Sequence, residues 1–86
     1  MRITAYTTID LTRPTLAEGR EAVTRRCIAV IGDIQPVMAV LFADPGMRND
    51  ITAFFDDMKL FLEPKLPAEL ETFLREWQAL GRRPAA

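Results

Sequence analysis

The chain has 86 residues and a mass of 9.7 kDa, which is one small domain burying roughly 64% of the surface its unfolded chain would expose. That length excludes a dinucleotide-binding domain with a substrate domain, an eight-stranded α/β barrel and a complete kinase. Eleven basic and twelve acidic residues give a net charge of −1, which is not the basic excess of a nucleic-acid binder. Histidine is absent, and with it the commonest general base and metal ligand. The single cysteine, Cys27, allows neither an internal disulfide nor a Cys/His zinc site within one chain. A reducing cytoplasm is the expected compartment, and no cofactor is expected.

The first eleven residues alternate. Ile3, Ala5, Thr7, Ile9 and Leu11 fall on one side of a period-two pattern, with Arg2, Thr4, Tyr6, Thr8 and Asp10 on the other. With its β-branched residues, the segment predicts a strand or extended arm over 2–11. One strand is not stable alone, so it needs a mate in this chain or in a second copy. The alternation and the lack of a long apolar run argue against a secretory leader.

Thr15-Leu16-Ala17-Glu18 has the spacing of a capping box and predicts a helix starting near Leu16. From Cys27 to Ala43 the chain is apolar on nearly every side, interrupted by Gly32, Asp33, Gln35 and Pro36. Those interruptions argue against a membrane span. Two readings of this stretch stay open. A helix can run from Leu16 to about Ala43 with a kink before Pro36. Alternatively, 28–31 and 37–42 are buried strands, because short apolar runs do not reveal their type by periodicity.

The second half is more explicit. Asp44-Pro45 reads as an N-cap followed by proline at the first helical position. Ile51, Phe54, Phe55, Met58, Phe61 and Leu62 then form one apolar stripe, and Pro64 ends that helix. A last helix from near Pro67 carries the stripe Leu66, Leu70, Phe73, Leu74, Trp77 and Leu80, with Gly81 as the expected C-terminal cap. The fold class that follows is mainly α. It is a bundle of three to four helices, one kinked at proline, with an N-terminal extended strand. The alternative is α+β with a short sheet from 2–11, 28–31 and 37–42. In either case residues 1–86 form a single domain, with an arm over 1–11, a helical core over 15–81 and a loose tail over 82–86.

Few residues offer chemistry. Asp56 and Asp57 are adjacent on a helix, point about 100° apart and so do not converge on one atom. Cys27 has no histidine to activate it and reads as a buried, inert thiol. The glycines are isolated, so there is no phosphate loop, and the absence of serine removes a Gly-x-Ser-x-Gly elbow. No catalytic and no metal-binding residue is assigned.

Residues 39–58, AVLFADPGMRNDITAFFDDM, followed by residues 69–81, ELETFLREWQALG, resemble the C-terminal half of TetR-type transcriptional regulators. The resemblance covers roughly residues 15–81. It implies an all-helical ligand-binding and dimerisation domain in a regulatory protein. The DNA-binding half of that family has no counterpart here, so no direct nucleic-acid contact is implied.

Three functions compete on these residues. The first is a non-enzymatic interaction module, a homodimer or adaptor for another protein, with Ile3, Ile9, Val37, Leu41, Phe73 and Trp77 as interface candidates. The second is an apolar small-molecule binder with a pocket lined by Met38, Phe54, Phe55 and Met58. The third is a small enzyme using a carboxylate base such as Asp33.

Overall fold

A computed structural model describes residues 9–82 of the chain. Ile3 and most of the expected arm lie outside the described residues. Among those residues the regular structure is all helical: α1 spans Arg20–Ile34, α2 Met38–Ala43, α3 Pro45–Leu62 and α4 Ala68–Arg82. The α+β alternative does not hold. Residues 28–31 lie inside α1, and residues 37–42 belong to a 3-10 turn and α2. Ile9 to Leu11 carry no strand assignment.

The N-terminal helix starts later than the capping pattern suggests. Leu16–Glu18 make one 3-10 turn, and α1 begins only at Arg20. Gly19 separates them at φ 80° and ψ 155°, a backbone region reserved almost wholly for glycine. The capping box forms at this turn. The Glu18 carboxylate accepts from the Thr15 N–H at 3.0 Å, and the Glu18 N–H also donates to the Thr15 carbonyl at 3.1 Å.

Pro36 breaks the next helix as expected. Gln35–Val37 form a 3-10 turn between α1 and α2, and Val37 leaves helical geometry at φ −126°, ψ 26°. Asp44 caps α3. Its Oδ1 accepts from the N–H groups of Gly46 at 3.0 Å and Met47 at 3.3 Å. These are donors that the first turn would otherwise leave unpaired. Gly81 is not a cap, because α4 continues through Arg82. Its role is space: a Cβ there would lie 3.2 Å from the Phe42 ring, so glycine lets α2 settle against α4.

Side-chain contacts give the helix directions. The Arg20 guanidinium, at the start of α1, donates to the carbonyls of Leu62 and Lys65 just where α3 ends. So α1 and α3 run antiparallel. Ile31 faces Ala68 and Glu69 at the start of α4, and Gln35, just past the end of α1, donates to Glu76 further along it, so α1 and α4 run parallel. The core between them holds Val23, Cys27, Val30, Ile31 and Ile34 from α1 and Leu41 from α2. It also holds Ile51, Phe54, Phe55, Met58 and Leu62 from α3, with Leu70, Phe73 and Trp77 from α4. Four rings form a chain inside it. Phe54 meets Phe55 edge-on at 5.0 Å, Phe55 meets Phe73 at 4.6 Å, and Phe73 stacks on Trp77 at 5.7 Å. Such pairs add to the energy of burial itself.

The N-terminal segment is strapped across this bundle. Arg13 pairs with Asp57 on α3 at 2.8 Å. Arg26 on α1 pairs with Glu18 at 3.0 Å and donates to the Thr12 carbonyl at 2.7 Å. Asp10 accepts from Thr12. That bond, aided by Arg26, holds its carboxyl below the usual value.

Candidate functional site

The residues with chemical potential are dispersed. Cys27 is fully buried among apolar side chains. Burial, with Glu69 nearby, pushes its thiol up to about 11, so the thiolate needed for nucleophilic work is suppressed. Asp57 is occupied with Arg13 while Asp56 points to solvent. Asp33 is exposed on α1. Among the described residues no group of three or more Cys, Asp or Glu side chains converges as a metal site would require.

The four candidate pocket residues lie in the core or against it. Phe54, Phe55 and Met58 are packed in the core, and Met38 lies partly buried against it. A groove of about 330 Å³ lies elsewhere, between α1 and α4, lined by Ile31, Gln35, Ala68, Glu69 and Thr72. That volume is at the small end of ligand sites. Gln35 bonds Glu76 at 3.5 Å, outside the lining set.

The interface candidates divide in a similar way. Ile3 lies outside the described residues. Ile9 and Val37 are partly buried against the core. Leu41, Phe73 and Trp77 are 0%, 0% and 4% exposed, so a partner cannot reach them without opening the bundle. The amphipathic stripes that stand out in the sequence are consumed by the chain's own core.

What the fold leaves outside is a different surface. The stretch from Arg20 to Ala43 has a mean hydropathy of 1.6 in its most apolar window, yet only 28% of that window is buried. By length and composition it could cross a membrane, although one side of it carries core residues. Its outer face carries apolar residues as well as charged ones. Ile28 is 37% exposed and Val40 59%. Between and beside them Ala29, Gly32, Pro36, Ala39 and Ala43 are all exposed. A Cβ on Gly32 would touch nothing within 4 Å, so this position is open surface. The charged groups on this side of α1 are Glu21 and Arg25, 3.8 Å apart and largely in solvent, and Asp33. Leu60 on α3 is 72% exposed, but charged Lys59 and Glu63 stand close to it in sequence. A single exposed leucine is ordinary.

Sequence reasoning missed the outer face because it looked for amphipathic stripes. The signal was present in another form. From Cys27 to Ala43 the only charge is Asp33, which is more apolar surface than one buried stripe requires.

Comparison with known proteins adds no likeness: no family model, no curated protein and no solved structure matches the chain.

Proposed function

We propose that the protein is a small, non-enzymatic interaction module of the cytoplasm, and that the outer face of α1 and α2 is its docking surface for protein. One observation carries this reading. The most apolar helical stretch of the chain turns one side to the core and leaves Ile28, Val40 and the small residues between them in water. Exposed apolar residues gathered along one stretch suit a binding site, since apolar surface that forms a patch is more often functional than idle. The buried thiol and the dispersed carboxylates give an enzyme reading nothing comparable to stand on.

Site-specific photocrosslinking tests the reading. A photoreactive residue at position 40 or 28 is expected to give a discrete covalent adduct with a protein in the cell. The same residue at Lys65, on the loop before α4, is expected to give none. Equal labelling at all three positions, or none at any, would overturn it.

A further inference from the structure

We infer that the partner on this face is a second copy of the chain, with the two α1 helices antiparallel across a two-fold axis at Ala29. This rests on the docking-surface reading above and adds the identity and register of the occupant. The argument is charge symmetry. Arg25 and Asp33 are both exposed on α1, and Arg25 is 70% exposed at its side chain. They lie eight residues apart, about 12 Å along the helix, and Ala29 is midway between them. In an antiparallel pair centred on Ala29, Arg25 of each copy stands at the height of Asp33 of the other. That gives two equivalent opposite-charge pairs, the isologous pattern of a two-fold dimer. A parallel pair would set Arg25 against Arg25 and Asp33 against Asp33. Charge therefore selects the antiparallel arrangement.

The surface between the charges suits close approach. Ala29 lies on the axis and Gly32 stands beside it with no side chain and open space around it. Helix axes can then come to about 8 Å, the short end of the packing range. Ile28 borders the contact and Pro36 extends it toward α2. The competing contact of Arg25 is the Glu21 carboxylate at 3.8 Å, a solvent-exposed i,i+4 pair that holds it weakly.

Sedimentation equilibrium of the purified full chain tests the proposal, with circular dichroism confirming that each variant keeps its helix content. The wild type is expected to be a dimer. Arg25→Asp and Asp33→Arg each convert both pairs to like charges and are expected to weaken association at least about tenfold. The charge-swapped double variant, R25D/D33R, is expected to recover most of it. Gly32→Leu, at a position where the folded monomer has room, is expected to give a folded monomer. A dimer indifferent to all four changes would overturn the register. A wild-type monomer would overturn the second copy as occupant. If position 40 still crosslinks to a heavier protein, the docking-surface reading survives that failure. If the monomer instead floats with phosphatidylcholine–phosphatidylglycerol vesicles, the face belongs to a membrane surface.

Discussion

Trp77 on α4 donates its indole N–H to the hydroxyl of Thr52 on α3 at 3.0 Å, while its ring stacks on Phe73 and meets Phe42 edge-on. One side chain thus joins α2, α3 and α4. Its polar atom finds a partner at the rim while its rings fill the core, which is how a buried tryptophan is usually accommodated. Trp77→Ala should cost about 3–5 kcal/mol in urea unfolding. Thr52→Val should cost about 1 kcal/mol, since it strands the indole donor and leaves the packing in place. A small loss for Trp77→Ala would show that the aromatic chain does not hold the bundle together.

Two glycines should respond in opposite directions to the same change. Gly19→Ala places a Cβ in a backbone conformation with φ 80° and should destabilise by about 1–3 kcal/mol. Gly32→Ala, in the middle of α1 with open space around it in the single chain, should stabilise the monomer by about 1 kcal/mol through helix propensity, read at dilutions where the chain does not associate. Thermal melts of the two variants measure the difference directly. Equal shifts would contradict the break at Gly19.

Asp44 starts α3 by accepting from two backbone donors. Asp44→Ala should lose about 1 kcal/mol, and Asp44→Asn should keep most of it. Denaturant midpoints of the three proteins would check this order.

Cys27 links stability to alkaline pH. Its thiol is raised from 9.0 to about 11 in the fold. Between these values the unfolded chain releases the proton and the folded chain keeps it. The native state therefore binds more protons, and stability falls as pH rises through the window. The loss should reach about 2–3 kcal/mol above it. Comparing unfolding of wild type and Cys27→Ala on both sides of the window isolates this contribution from other alkaline groups. The same burial predicts that a thiol reagent labels Cys27 only as fast as the bundle opens.

What the sequence made legible follows from contrast between faces. In α3 the Asp44-Pro45 start and the aromatic spacing from Ile51 to Leu62 mark one helix with one apolar side, and that side is buried. From Cys27 to Ala43 contrast is missing because both sides of the helix are apolar, so helix and strand could not be told apart. Gly81 read as a cap because glycine after an apolar stripe ends many helices. Here the Phe42 ring claims its space, a constraint that only the tertiary packing of α2 on α4 creates. Leu41, Phe73 and Trp77 read as a seam for the same reason. Periodicity finds an apolar face but does not say whether the chain itself or a partner covers it.

That the outer face of α1 pairs with a second copy of the chain is the central claim, and amide chemical shifts recorded over a concentration series test it most directly. The account predicts shifts that move with concentration at Arg25, Ala29, Gly32 and Asp33, while Leu70 and Phe73 inside the bundle stay still. Shifts that do not depend on concentration, or that move at Leu60 and the far side of α3 instead, would contradict it.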